Sequence, residues 1–210
     1  MANTQGYFGF APVGTSNGPM NFRLSTRRVA STAGAIYKGD PVEPVTSSAT
    51  GYIKQSAPGD LGATVPLAGI FWGCEYLSVS QKRSVWSPYW PGSDASGDVL
   101  AYVIDDPNSR FKVQANGSSM VITGTTSTWT SGPVGQLANF AIGTGSTSTG
   151  LSGAYLSAVG TTAAYPFIVV DMVQDPPGTN GADPTTNYNY LIVAFNNEWL
   201  RGNAAVTGIS

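Results

Sequence analysis

The sequence predicts an all-β fold. Short runs of β-branched and aromatic residues recur between clusters of Gly, Pro, Asn and Asp, and no window of about 11 residues keeps a helical period. The 26 glycines and 14 prolines make up about a fifth of the 210 residues, well above the usual ~12%. Strands this short and this regularly interrupted favour a β-sandwich, a jelly-roll-like domain or a barrel over an open α/β sheet.

The first 28 residues are predicted to form an extended N-terminal arm, followed by a β-rich domain over residues 29–210. Aromatic side chains are scattered in this segment among Gly, Pro, Asn and Thr without a clear strand pattern, at Tyr7, Phe8, Phe10 and Phe22. Three of the six arginines also lie within six positions, at Arg23, Arg27 and Arg28. Such an arm either packs along its own domain or wraps a neighbouring subunit and orders as it binds.

Beyond the arm, apolar runs bounded by turn residues predict the strands in order. They are 36–45 with a break at 38–41, 51–56, 67–79, 99–104, 110–115, 120–123, 151–159, 165–173 and 187–195. Apolar and polar residues alternate in 110–115, which is the period-2 pattern of a half-buried strand. The residues expected to face the core are Phe111, Val113 and Ala115, and those expected to face solvent are Arg110, Lys112 and Gln114.

The last two runs are more continuously apolar than the others. This pattern is typical of central strands covered on both faces, so 165–173 and 187–195 are expected to pair near the middle of a sheet. The segment between them is rich in Pro, Gly, Asn and Asp and is predicted to be a loop. A helical turn is possible in 134–142, and 143–150 is predicted to be a flexible turn, because it lacks the lysine and the βαβ context of a phosphate-binding loop.

Charge is scarce in this chain. Only 10% of the residues are charged, against roughly 25% in ordinary soluble proteins. Ten basic and twelve acidic residues give a net charge of −2, so no broad cationic field exists for a phosphate backbone, and nucleic acid is not an expected partner. A surface so poor in charge has little repulsion to keep copies apart, which favours assembly.

Neither a membrane span nor a secretory signal is expected. No run of 18 apolar residues occurs, and the opening "MANTQGYFGF" lacks a basic start, an apolar run and a small-residue cleavage site. Cys74 is the only cysteine and lies in the apolar run "IFWGCEYL", so it is predicted to be a buried hydrophobe rather than a reactive thiol.

The sequence contains no histidine, which removes the Ser-His-Asp triad, the Cys-His dyad and every histidine-ligated metal site. Carboxylates are the main catalytic option left. Asp105 and Asp106 are adjacent at a strand end, so their side chains should leave on opposite faces and cannot flank one glycosidic bond. We interpret Asp106 as the start of a turn held by its side-chain oxygen, and we interpret Asp94 and Asp98 in the same way.

The predicted loop between the last two apolar runs, here called the acidic loop, contains Asp175, Asn180 and Asp183, whose side-chain oxygens could bind a calcium ion. Their spacing matches no EF-hand, however, and is typical of simple turns. No enzyme activity, cofactor or metal is therefore expected, although a glycosidase whose carboxylates meet only in space stays open.

The segment "VWSPYWPG" brings Trp86, Tyr89 and Trp90 together beside two prolines. These rings either cover one end of the core, form a contact surface for a protein partner, or form a platform for sugars, since rigid aromatic side chains dominate interface energetics. Near the end of the chain, Trp199 and Arg201 either form a further contact or simply follow the last strand.

The succession of "MANTQGYFGFAPV", "KGDPVEPV", "AGIFWG", "YVIDDPNSRFKVQA", "TGLSGAYL" and "NNEWLRGNAAVTGIS" resembles the capsid decoration, or cement, proteins of tailed bacteriophages. The resemblance covers most of the chain. It implies a β-rich accessory protein, usually a homodimer or homotrimer, that binds the outside of the virion shell and clamps neighbouring major capsid proteins. Such a protein is made and assembled in the host cytoplasm and reaches the exterior by lysis, which agrees with the missing signal and disulfides.

The candidate contacts with the capsid or with other subunits come from the arm, the aromatic segment and the tail. They are Tyr7, Phe8, Phe10, Arg23, Arg27, Arg28, Trp86, Tyr89, Trp90, Trp199 and Arg201. The low charge predicts that docking depends on apolar area and backbone hydrogen bonds and is insensitive to salt. The alternative function is a receptor-binding or glycan-binding module of a phage tail spike or fibre.

Overall fold

The computed structural model confirms the all-β prediction. It describes residues 3–16, 18, 22–47, 50–57, 65–116, 120–121, 123–125, 128–173 and 184–200. The strands in these ranges are β1 (Ala11–Thr15), β2 (Leu24–Val29), β3 (Ile36–Tyr37), β4 (Pro41–Pro44), β5 (Tyr52–Gln55), β6 (Gly69–Leu77), β7 (Ser84–Ser87), β8 (Tyr89–Trp90), β9 (Val99–Ile104), β10 (Ser109–Gln114), β11 (Thr123–Thr125), β12 (Thr128–Ser131), β13 (Leu137–Gly143), β14 (Gly153–Gly160), β15 (Phe167–Met172) and β16 (Tyr190–Phe195).

One sheet is open and antiparallel, with the strand order β1-β10-β16-β15-β13-β14. The two apolar runs near the end of the sequence become β15 and β16, which pair at its centre, with Val169 opposite Val193. Their predicted pairing is confirmed. Burial alternates along β16, however, so that Leu191, Val193 and Phe195 are buried while the residues between them are half-buried. The expectation that both faces of this strand are completely covered is therefore wrong, because only one face of β16 is fully buried.

The second sheet closes on itself. Its order is β4-β5-β2-β9-β6-β7, and β4 also pairs with β6, so that five strands form a ring from which β7 extends. The pair β2–β5 is parallel, whereas the other pairs in the ring are antiparallel. Two short two-stranded sheets, β3–β8 and β11–β12, are also present.

Each sheet has its own hydrophobic core. Stacked and edge-on phenylalanine rings fill the core of the open sheet, with Phe111, Phe167 and Phe195 fully buried and the rings of Phe10 and Phe167 4.5 Å apart. The interior of the closed sheet is filled by aliphatic side chains such as Ile53, together with Phe71, Trp90 and Cys74. Each large side chain buried in this way contributes roughly 1.5–3 kcal/mol relative to an exposed one.

The period-2 geometry of β6 and β9 joins the two cores into a sandwich-like fold. Ile70 and Ile104 lie opposite each other and belong to the core of the open sheet. Their neighbours Phe71 and Val103 also lie opposite each other, but they belong to the interior of the closed sheet. Because successive side chains leave a strand on opposite faces, the same two strands serve both cores.

The buried carboxylate of Asp40 ties further segments together at this junction. It accepts hydrogen bonds from the backbone N–H of Tyr37, from Gln55 Nε2 and from the hydroxyl of Ser152. These partners come from β3, β5 and the residue before β14. Burial raises the pKa of the Asp40 carboxyl above its ordinary value, and the three hydrogen bonds oppose that effect.

The structure corrects the expected arm. Residues 11–15 form edge strand β1, residues 24–29 form β2 inside the closed sheet, and the boundary at residue 28 falls within β2. Phe10 is only 1% exposed and belongs to the open-sheet core. The strand signal was weak because Pro12 and an irregular register at Val13 interrupt β1, and because β2 has polar residues on much of its length.

Two smaller expectations also change. The possible helical turn in 134–142 is instead occupied by the start of β13, whose apolar residues pair with β14 and β15. Gln114, expected to face solvent, is fully buried: it donates to the carbonyl oxygens of Thr4 and Tyr188 and accepts from the N–H of Gly6. The polar groups of its side chain are satisfied by the N-terminal segment and by Tyr188, which is why burial is tolerated.

Candidate functional site

The outer surface of the closed sheet carries a row of side chains at matching register on five neighbouring strands. Arg28 lies opposite both Tyr52 and Leu100, and Glu75 lies opposite both Leu100 and Trp86. We call these five residues the outer row. The strand neighbours Val29, Ile53 and Cys74 point inward, so the alternation along each strand directs the outer row to solvent.

Trp86 is the most exposed of the large apolar side chains described, at 56%. Its ring lies over Gly73, where a Cβ would come 3.0 Å from the nearest ring carbon. Leu77 and Leu100 are also exposed, and Leu77 is two residues beyond Glu75 on the same face of β6. This part of the sheet therefore presents an apolar surface with a large aromatic ring at its margin.

Glu75 provides the charge within that surface. Its carboxylate accepts hydrogen bonds from Ser84 Oγ at 3.0 Å and from the Tyr102 hydroxyl at 3.2 Å. No cation of the described residues pairs with it, whereas Arg28 in the same row is neutralised by Asp98 at 2.9 Å. A partner that covers the outer row must therefore bring apolar groups together with a donor or a cation for Glu75.

The aromatic segment divides between surface and core. Trp86 is exposed, but Trp90 is 5% exposed and packs edge-on against Tyr76 inside the closed sheet. Tyr89 is half-buried and stacks on Tyr37, with ring centroids 5.4 Å apart. The structure thus places Trp90 in the core, and it leaves Trp86 as the ring available for contact.

Three candidates from the arm and the tail come together at a buried carboxylate. Arg27 Nη2 lies 3.2 Å from an oxygen of Asp105, Arg23 Nε lies 3.8 Å from the other, and Asp105 is completely buried. The Arg27 guanidinium also lies over the ring of Trp199, 4.6 Å from its centroid. These contacts are internal, so Arg27 and Trp199 hold the chain together at this point.

The aromatic residues of the N-terminal segment pack on their own domain. Tyr7 stacks on Tyr155 at a centroid distance of 4.1 Å, and Phe8 lies 5.9 Å from the ring of Tyr190. Of the two arrangements expected for this segment, the structure shows packing along its own domain. Phe8 remains half-buried and therefore partly accessible.

The predicted turn at Asp106 is confirmed, because its carboxylate accepts a hydrogen bond from the N–H of Asn108. Asp94 and Asp98 instead bind distant residues: Asp94 accepts a hydrogen bond from the N–H of Ser80, and Asp98 pairs with Arg28. Asp105 forms an ion pair with Arg27. Cys74 is buried and free, as predicted, and burial raises its pKa to about 12. Arg201 and the acidic loop with Asp175, Asn180 and Asp183 lie outside the described residues.

Sequence reasoning missed Glu75 and Leu100 as surface residues. The alternation in "VLAYVI" placed Leu100 on the face opposite Val99 and Ala101, and the same logic applies to Glu75 between Cys74 and Tyr76. The sequence therefore contained the periodicity that directs these two side chains to the surface. It did not indicate that β9 and β6 are neighbours in the sheet.

Comparisons with protein-family models, with curated proteins and with solved structures find no match to this chain. Within the described ranges, no helix is long and apolar enough to span a membrane. The same residues contain no group of three or more Cys, Asp or Glu side chains placed to hold a metal ion.

Proposed function

We propose that this protein is a capsid decoration protein of a tailed bacteriophage, which binds the outside of the shell and joins neighbouring major capsid proteins. The observation that carries the proposal is the outer row. It combines the exposed indole of Trp86, the exposed Leu100 and the carboxylate of Glu75, which has no ion-pair partner among the described residues, on the outside of the closed sheet. The sequence resemblance described above supports the same function.

Trp86 is the expected anchor of the contact. An indole can bury on the order of 150–250 Å² in an interface, and tryptophan is among the residues that most often dominate binding energy. Glu75 would receive a basic or hydroxyl group of the shell protein, which sets orientation more than affinity.

Many copies on one shell make a weak individual contact sufficient. If a dimer or trimer engages two or three shell subunits, the first contact raises the effective concentration for the next. With only one unpaired charge in the outer row, attachment depends little on ionic strength. Raising NaCl to molar concentration is expected to leave bound copies in place.

The direct experiment mixes the purified protein with capsids that lack it, sediments the particles, and images what remains attached. Trp86→Ala is expected to weaken attachment about 30-fold or more, because hot-spot residues contribute about 2 kcal/mol or more. Val134→Ala is the matched control, since Val134 is 50% exposed but belongs to the turn before β13. The proposal fails if the wild-type protein ignores capsids, or if both variants bind as well as the wild type.

A glycan-binding module is the second candidate, favoured by a cleft of about 680 Å³ at one end of the closed sheet. Hydroxyl groups of Ser31, Thr32 and Ser93 line it, together with the carboxylates of Asp94 and Asp98. Such groups suit polyhydroxylated ligands. Binding to host cells or to their polysaccharide, without binding to capsids, would favour this function over decoration.

A further inference from the structure

We propose that a second docking site, on a groove between the two sheets, takes an extended acidic segment of a partner protein. The groove has a volume of about 590 Å³ and shares no residue with the outer row. Residues of the N-terminal segment and of β1 line it, together with Trp72 of β6. This site stands independently of the shell-binding proposal.

The walls of the groove are mainly apolar. Phe22 and Trp72 form one aromatic pair, with ring centroids 5.5 Å apart, and Phe8 also lines the groove. Ala11, Pro12 and Leu151 complete the apolar lining, and Leu151 is 39% exposed. Grooves of this size and character accept apolar side chains, with a few polar groups to set orientation.

Two lysines supply those polar groups. Lys38 Nζ lies 3.6 Å from the centroid of the Trp72 ring, and Lys112 Nζ lies 5.9 Å from that of Phe8 and 5.8 Å from that of Tyr190. A cation–π contact positions an ammonium group without neutralising its charge. Both lysines therefore hold a positive charge in place at the groove.

Neither lysine has a carboxylate partner among the described residues. Several other cations on the strands do have one: Arg27 pairs with Asp105, Arg28 with Asp98, and Lys54 with Glu43. The groove thus combines two unpaired positive charges with an apolar floor. The complementary ligand has carboxylates next to apolar side chains.

The position of β1 favours an extended segment as that ligand. Among the strands that the structure describes, β1 is an edge strand of the open sheet and pairs with β10, while its last residue, Thr15, also bridges Gly18. Edge strands accept a further strand from another chain, and alternate side chains of that strand enter pockets while the others stay at the rim. Pro12 cannot donate a backbone hydrogen bond, so the lysines must contribute more of the recognition than a continuous ladder would.

The experiment uses the full chain and a dye-labelled, capped seven-residue peptide of alternating leucine and glutamate, with binding measured by fluorescence anisotropy. A peptide of alternating leucine and glutamine is the neutral control. We expect the acidic peptide to bind and the neutral one to bind about 10-fold or more weakly, because charge-assisted hydrogen bonds are roughly twice as strong as neutral ones.

The variants test the site itself. Lys38→Gln and Lys112→Gln are each expected to weaken binding about 3- to 10-fold, and raising the salt concentration should weaken it further. Lys82→Gln is the matched control, because Lys82 is an exposed lysine outside the groove. This variant should bind the acidic peptide as tightly as the wild type does. Circular dichroism and thermal unfolding establish that each variant folds. Equal binding of both peptides, no binding at millimolar concentration, or unchanged binding by both groove variants would overturn the proposal.

Discussion

The ring of Trp86 lies over the backbone of Gly73, on the neighbouring strand of the closed sheet. A Cβ at Gly73 would come 3.0 Å from the ring and 3.0 Å from the carbonyl oxygen of Ser87. The absence of a side chain at Gly73 therefore leaves room for the Trp86 indole beside β6.

Gly73→Ala should displace the Trp86 ring and destabilise the fold, by about 1–3 kcal/mol for overpacking. In the Trp86→Ala background the same change should cost less, because the ring contact is gone and only the contact with Ser87 remains. Urea unfolding of the two single variants and the double variant measures the difference. Strictly additive effects would show that ring and glycine are not coupled.

Phe10 is expected to be a stability residue rather than a contact residue. Its ring stacks on Phe167 inside the open-sheet core, so Phe10→Ala should lower the free energy of unfolding by about 3–5 kcal/mol. Phe8→Ala is the matched control and should cost clearly less, since Phe8 is half-buried.

Deleting residues 1–22 should have a larger effect than Phe10→Ala, because it removes β1 as well. Urea unfolding and circular dichroism of the truncated chain test it. A truncated protein as stable as the full chain would contradict the assignment of Phe10 to the core.

Asp40 should make stability depend on pH. Its pKa in the folded state is raised by burial, so the folded chain holds the proton more tightly than the unfolded chain does. Below the ordinary pKa of aspartate both states are protonated and no penalty exists. As pH rises from the ordinary to the raised pKa, the unfolded chain ionises while the folded chain still holds the proton, so the folded state loses stability relative to a variant that cannot ionise.

The comparison that isolates this effect is wild type against Asp40→Asn, unfolded in urea across a series of pH values. The stability of the wild type minus that of the variant should fall as pH rises from the ordinary to the raised pKa, and should then level off. Ionisable groups shared by the two proteins cancel in the difference. A difference that rises with pH would have the wrong sign.

The free energy of unfolding should depend strongly on the ion pair of Asp105 with Arg27 and weakly on its contact with Arg23. Arg27→Met leaves the completely buried carboxylate without its close partner and should cost about 3 kcal/mol or more. Arg23→Met is the natural control, because the side chain of Arg23 is 69% exposed and its contact is 3.8 Å long, so about 1 kcal/mol or less is expected. Thermal or urea unfolding of both variants measures this, and equal costs would argue against the assigned pairing.

Cys74 should be inert in the folded protein. Burial raises its pKa to about 12, so the thiolate that reacts with disulfide reagents is scarce at neutral pH and also inaccessible. Adding such a reagent to the native protein should give no rapid colour change, whereas the urea-unfolded chain should react with one equivalent. Rapid labelling of the native chain would show that this part of β6 opens to solvent.

Local periodicity was enough to place many strands and to orient their side chains. The alternation from Arg110 to Ala115 identified Phe111 and Val113 as core residues, and the apolar runs identified β15 and β16. The turn at Asp106 and the burial of Cys74 also followed from neighbouring residues. Each of these features depends on residues that are neighbours in the sequence, which is why the sequence alone determined them.

Only the tertiary structure decided which strands are neighbours. Periodicity says which face a side chain occupies, but the partner across the sheet is set by pairing between distant segments. The outer row therefore appears only when β5, β2, β9, β6 and β7 are aligned, because Arg28, Glu75 and Leu100 are far apart in the sequence. For the same reason, the sequence did not predict that the N-terminal segment belongs to the core. Phe10 enters the core through contacts with rings more than a hundred residues away.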